Sequence, residues 1–231
     1  GLRRQCYTGA MQGLKFDAAG LIPAIAQDRA TGEIRMMAWM NEEALAKTLE
    51  TGLATFYSRS RQKLWVKGET SNHRLRVESV VADCDGDTLL LLVEPEGPSC
   101  HTGRPNCFFR PLGPEGPVET ESEALPYLFE LESVLKRRQA SSADRSYTRS
   151  LLDGGAAKVG AKIGEEAQEL VAAIHGETND RVASEAADVL YHVLVALRLR
   201  DVALRDVVRE LVRRSSQSGH AEKAARKPPV V

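Results

Sequence analysis

Aromatic residues are scarce in this chain: 5% of 231 residues, with two tryptophans. That argues against a platform that stacks single-stranded bases. Neither sign of charge predominates. The formal net charge is −1, so no global field favours nucleic acid or an acidic membrane. No apolar run is long enough to span a bilayer, and no secretory signal is evident. The expected location is the cytoplasm, although a start at Gly1 without methionine leaves room for a removed leader. Cysteine is sparse too. Three of the four cluster, which suits a metal in a reducing compartment better than a disulfide scaffold. What remains, 42% hydrophobic and 27% charged, is ordinary for a globular protein of one large or two small domains.

The most informative stretch is Asp83-Cys84-Asp85-Gly86-Asp87. Asp-Gly marks a tight hairpin. If the stretch is extended, alternate side chains share a face. Asp83 and Asp85 would then point one way and Cys84 the other. Oxygen ligands suit magnesium and thiolates suit zinc, so one hairpin could serve two ions. One ion shared by the aspartates requires the chain to bend, which Gly86 permits. Cys100 and Cys107 follow, joined by a Gly103 and Pro105 loop that can bring both sulfurs together. Three thiolates make an incomplete zinc tetrahedron, and a vacant position is the mark of a catalytic zinc. A Cys100–Cys107 disulfide, or an acidic turn without metal, are the plainer readings of the same residues. Cys6 could supply a fourth ligand.

The first half otherwise reads as β-rich. Leu21, Ile22 and Ile25 form one apolar run, Thr31-Gly32 turns, and Ile34–Met40 forms the next. Asn41 predicts a helix N-cap and Gly52 its end. Leu53–Ser58, Leu75–Ala82 and Thr88–Val93 read as further strands. Between them, Arg59, Arg61, Lys63 and Lys67 lie among hydroxyls and a glycine, a composition that suits phosphate or a plain solvated loop. Trp65 is either core or a face for a purine. His73 stands shortly before the aspartate hairpin. Residues 108–121 are rich in proline and glycine and read as a linker. The predicted domains are therefore a β-rich α+β domain over residues 1–114 and a helical one over 115–231.

The second half carries helical periodicity over Leu125–Arg138, Tyr147–Asp153, Ala156–His175, Arg181–Leu199 and Leu204–Arg214, with Asn179 or Asp180 as a cap. Residues 141–146 read as a polar break, and the tail from Ser215 as disordered. Glu166 and Glu169 are three apart on one helix, Glu185 and Asp188 on the next, so each pair shares a face. Four carboxylates packed together repel unless cations intervene, and magnesium with substrate phosphates answers that need. Lys158 and Lys162, upstream on the same helix, could hold phosphate oxygens. The alternative is a solvent-facing helix with an ordinary Lys162–Glu166 pair. His192 reads as structural.

Two sets of these residues resemble known families. Met36 to Asn41, Ser58-Arg59-Ser60-Arg61, Trp65 to Ser71, Asp83 to Asp87 and Cys100 to Cys107 resemble phosphoribosyl-AMP cyclohydrolase. Ser146-Tyr147-Thr148, Lys162 to Glu169 and Glu185 to His192 resemble phosphoribosyl-ATP pyrophosphohydrolase of the all-α MazG-like superfamily. The resemblance implies a bifunctional hydrolase of histidine biosynthesis. It implies magnesium at Asp83, Asp85 and Asp87, and zinc at Cys84, Cys100 and Cys107, with the zinc site built across a homodimer. Water activated by zinc would open the adenine ring of phosphoribosyl-AMP at N1–C6, with His73 or His101 as proton carrier. Arg59, Arg61 and Lys67 would bind phosphate. A second magnesium cluster at Glu166, Glu169, Glu185 and Asp188 would serve cleavage of phosphoribosyl-ATP, with Glu166 and Glu169 catalytic. Asn72 stands where the family commonly has glycine, and asparagine tolerates the positive φ such a turn needs. Two other readings compete: a zinc-stabilised nucleotide-binding protein, which a fourth ligand would favour, and a housekeeping nucleotide pyrophosphohydrolase.

Overall fold

The computed structural model describes residues 11–118, 124–140 and 146–215. Cys6, residues 141–145 of the predicted polar break and the tail beyond Ser215 lie outside them. The chain forms two compact units that meet in sequence between Pro126 and Tyr127.

The first unit is built on a six-stranded sheet. Its strands are β1 (Ile22–Asp28), β2 (Ile34–Met40), β3 (Thr55–Ser58), β4 (Lys63–Val66), β5 (Leu75–Ala82) and β6 (Leu89–Pro95), ordered β4-β3-β2-β1-β6-β5. Only β1 and β6 run parallel. Burial alternates along both of these strands, as a sheet with one face in the core requires. Ile22, Ala24, Ala26, Leu89, Leu91, Val93 and Phe56 fill that core. The sheet curls. Leu53, just before β3, bridges Arg76 of β5, and Ala54 N–H donates to Leu75 O at 3.0 Å. The start of the β5 edge, Leu75 to Val77, is thereby covered, a protection that open edges lack.

Helix α1 (Glu42–Thr51) begins and ends where its caps predict. Asn41 Oδ1 accepts from Ala44 N–H at 2.8 Å, and Gly52 closes it in the left-handed region. Strand β4 was not expected. Its basic ends suggest a loop, yet Leu64 and Trp65 pack on the core and the strand pairs with β3 throughout. Within the predicted linker, β7 (Leu112–Gly113) pairs with β8 (Gly116–Pro117) in a small separate hairpin.

The second unit contains α2 (Tyr127–Ala140), α3 (Tyr147–Asp153), α4 (Gly155–Ile174), α5 (Asn179–Leu199) and α6 (Leu204–Ser215). The cap of α5 is Thr178, not Asn179 or Asp180: its side chain accepts from Arg181 N–H. Leu135, Leu151, Val159, Leu194 and Val195 form the core. Helices α4 and α5 pack along one another, which sets their two acidic pairs face to face.

Candidate active sites

Residues 83–87 form a turn, not an extended strand, so the pleat does not separate acid from thiol as the alternation predicts. The turn is wound by Asp83. Its Oδ1 accepts from the N–H groups of Gly86, Asp87 and Thr88 at 3.0–3.1 Å. Gly86 adopts φ +79°, and a Cβ there would lie 2.2 Å from Gly13 O. This bend brings carboxylate oxygens of Asp83, Asp85 and Asp87 within 4.8 Å of one another, all on exposed residues. Desolvation is the largest single influence on Asp83 and raises its pKa, but the hydrogen bonds from Thr88, Asp87 and Gly86 together outweigh it and hold the group below the usual carboxylate range. Three oxygens this close suit a hard divalent cation.

Cys100 and Cys107 meet on the wall of a cavity of about 530 Å³, lined also by Met36, Arg61, Trp65, Lys67, His73 and His101. The loop between them is drawn tight: Ser99 N–H donates to Pro105 O, and Cys100 N–H to Arg104 O. Burial pushes the Cys100 thiol up, but the Thr102 hydroxyl at 3.1 Å, the Thr102 N–H, Cys107 and the His101 N–H pull it below its ordinary value. Desolvation, then the neighbouring Cys100, pushes Cys107 up to about 11, although the residue as a whole is exposed. All three described cysteines are free thiols, so the Cys100–Cys107 disulfide is not formed. His101 Nδ1 lies 3.9 Å from Cys100 Sγ. Burial lowers the pKa of Lys67, against the raising influence of Cys107 and Cys100. Cys84 is exposed on the aspartate turn. It does not line the cavity, and among the described residues the three thiols form no single cluster within the chain.

His73 is held from both sides by glycines. Its backbone carbonyl carbon and oxygen lie 2.5 Å from where a Gly68 Cβ would stand, and its ring 2.8 Å from a Gly97 Cβ. Asn72 adopts φ +58°, so asparagine makes the turn expected of glycine. The basic residues divide. Arg61 lines the cavity and donates to Ser58 Oγ, whereas Arg59 stacks over Trp39 at 4.9 Å. Trp65 lines the cavity, and its ring packs 5.1 Å from Phe56 as a core residue's would.

Sequence reasoning missed a buried group behind this wall. Glu33 and Arg35, each 4% exposed at the side chain, pair at 2.6 Å. Asn106 Nδ2 donates to Glu33 Oε1 at 2.6 Å. The one signal in the sequence is a pair of opposite charges two residues apart, Glu33 just before an otherwise apolar strand and Arg35 within it.

In the helical unit, Glu166, Glu185 and Asp188 bring carboxylate oxygens within 4.8 Å, the first two buried. Glu169 stands beside that trio, hydrogen-bonded to Glu185. Burial raises the Glu185 pKa; Arg181 opposes this, while Glu169 and Asp188 add to it. Arg181 reaches Glu185 at 2.6 Å, and Lys162 reaches Glu165 and Glu166 at 2.9 Å each. Lys158 instead turns to Ser150 Oγ at 2.8 Å. His192 is buried. Its Nδ1 donates to Asp188 O at 2.8 Å, and its Nε2 lies 3.1 Å from the Tyr147 hydroxyl. Tyr147 and Arg181 were not singled out by spacing.

A cavity of thiols, histidines and basic side chains in one unit, and converging carboxylates in each, suit a metal-dependent hydrolase. Residues 36–109 match the phosphoribosyl-AMP cyclohydrolase family, and residues 128–215 match the phosphoribosyl-ATP pyrophosphohydrolase family. The chain is 46% identical to the histidine biosynthesis bifunctional protein HisIE of Pyrococcus furiosus over 84% of its length and 91% of that protein's. It is 45% identical to the Bacillus subtilis protein of the same name over 88% and 96%, and 45% identical to that of Aquifex aeolicus over 87% and 98%. The chain belongs to this family of bifunctional histidine-biosynthesis hydrolases, which join the two activities on one polypeptide.

Proposed function

We propose the following division of labour between the two units. Glu166, Glu169, Glu185 and Asp188, on a MazG-like arrangement of helices, hold magnesium and receive the triphosphate of phosphoribosyl-ATP, with Lys162 and Lys158 within reach of its phosphates. Cleavage between the α and β phosphates releases pyrophosphate. Magnesium, when bound, neutralises charge on the leaving group. The phosphoribosyl-AMP so formed is the substrate of the β unit.

There, Cys100 and Cys107 hold zinc together with Cys84. Because Cys84 stands apart from the other two within one chain, we assign it to a second copy, which makes the protein a homodimer. Zinc, when bound, makes water a nucleophile at neutral pH. The chain's own residues do the rest. Arg61, Arg59 and Lys67 bind phosphate, and Trp65 offers its face to the purine. His73 and His101 carry the proton that must leave water and reach the ring nitrogen as the N1–C6 bond opens. Asp83, Asp85 and Asp87 hold magnesium. Among the described residues, no helix is long and apolar enough to cross a membrane.

The observation that carries this reading is the meeting of Cys100 and Cys107 in one cavity with His73, His101 and Lys67. The test is product analysis from phosphoribosyl-ATP with and without a zinc chelator, magnesium in excess. Phosphoribosyl-AMP should accumulate only under chelation. Ring-opened product at an undiminished rate in protein shown to be zinc-free would overturn it.

A further inference from the structure

Zinc ligands are only as well placed as the loop that carries them, and groups just behind a metal site commonly set its affinity. The Cys100–Cys107 loop has no secondary structure of its own. What fixes it is a guanidinium. Arg35, on β2, uses each of its three nitrogens differently. Nη1 pairs with Glu33 Oε2 at 2.6 Å, Nε donates to Ser99 Oγ at 3.1 Å, and Nη2 donates to Gly97 O at 3.0 Å. Each contact leads to the site. Ser99 precedes the first thiol. Gly97 is the residue whose missing side chain makes room for the His73 ring. Glu33 passes the connection on to Asn106, which precedes the second thiol and accepts from Phe108 N–H at 2.7 Å beyond it. The Arg35 carbonyl closes the circuit by accepting from Cys107 N–H at 2.9 Å.

We infer that Arg35, with Glu33 and Asn106, is the positioning centre of the ring-opening site, setting the two thiols and the His73 ring in register from one buried point. Stability alone does not account for it. A buried ion pair rarely outperforms well-packed apolar residues of the same volume, and Ile22, Leu89 and Leu91 show that this sheet fills space with such residues readily. An apolar pair would fill the volume but supply no direction. The planar fork gives fixed angles to three partners at once, which a lysine cannot reproduce.

The inference rests on the zinc reading above, and the experiment separates the two. Full-length protein is freed of metal, and cobalt(II) alone is titrated in while the thiolate-to-cobalt absorption band is followed. Both tryptophans, Trp39 and Trp65, lie in the β unit, so their emission reports that unit's folding. Failure of wild-type protein to develop the thiolate band would remove the zinc reading, and this inference with it. Given the band, Arg35→Lys should weaken cobalt binding about 10- to 100-fold. It should lower kcat for ring opening with little change in KM, at native tryptophan emission. Arg76→Lys, which alters an exposed pair with Glu96, should change neither. Arg35→Lys with native emission and wild-type cobalt affinity would overturn the inference. If Arg35→Lys does not fold, Ser99→Ala and Asn106→Ser take its place: loss of affinity in either supports the inference, and wild-type affinity in both overturns it.

Discussion

Two thiols in contact, Cys100 and Cys107, are pushed in opposite directions by their surroundings. Cys100 receives donors from Thr102 and His101, which favour its thiolate. Cys107 answers to desolvation and to its neighbour's sulfur, which favour its thiol. In metal-free protein the alkylation rate of Cys107 by iodoacetamide should therefore keep climbing with pH toward about 11. That of Cys100 should level off below the ordinary thiol range, since only the thiolate reacts. Peptide mass spectrometry across a pH series measures both rates separately, and a Cys107 rate already flat at neutral pH would contradict this account. The residues themselves were legible in the sequence. Thiols, histidines and alternating aspartates are chemically conspicuous and close together. The Glu33–Arg35–Asn106 group was not legible, because an arginine looks the same in a string of letters whether it faces water or lies beneath a cavity wall. Nothing local to Arg35 announces Gly97, Ser99 or Cys107 as its partners; only the curl of the sheet brings them there.

Among the elements, those with strong end signals were the most readable. Helix α1 has an acceptor side chain before it and a left-handed glycine after it, and both do what their chemistry predicts. Asn41→Ala should destabilise the β unit by about 1 kcal/mol, and Asn41→Gly by only a few tenths. Denaturant unfolding followed by tryptophan emission checks this, and an Ala variant as stable as wild type would deny the cap its role. Strand β4 shows the opposite case. Lys63 at its start and Lys67 just past its end suit phosphate chemistry, while the three apolar residues between them are too few to establish a period. The aspartate hairpin lies between these cases. Its turn was legible from Asp-Gly, but its geometry was not: Asp83 gathers three backbone donors, and that local competition for hydrogen bonds replaces the pleat. For α4 and α5, period and spacing brought the acidic pairs together on paper. The structure draws Glu166, Glu185 and Asp188 closest and sets Glu169 at the rim of the group.

At the scale of the whole molecule, each unit has its own core and its own constellation of donors. The two reactions should therefore be separable by single substitutions. Cys100→Ala is expected to abolish ring opening while pyrophosphate release continues at its wild-type rate, and Glu166→Ala to do the reverse. Chromatography of products from phosphoribosyl-ATP distinguishes the outcomes, and loss of both reactions from either change in folded protein would refute two independent sites. The order of the sheet has a further consequence. Ala24 of β1 lies beside Leu89 of β6, so a polypeptide leaving the ribosome cannot finish this wall until β6 has emerged. Such distant pairings form slowly, and β1 must wait with one flank bare to improper partners. Cys100 and Cys107 come out only after that closing strand. The strand that completes the wall and the loop that carries the pair of sulfurs thus leave the ribosome almost together, so slow closure of the sheet also delays the shelter of those sulfurs.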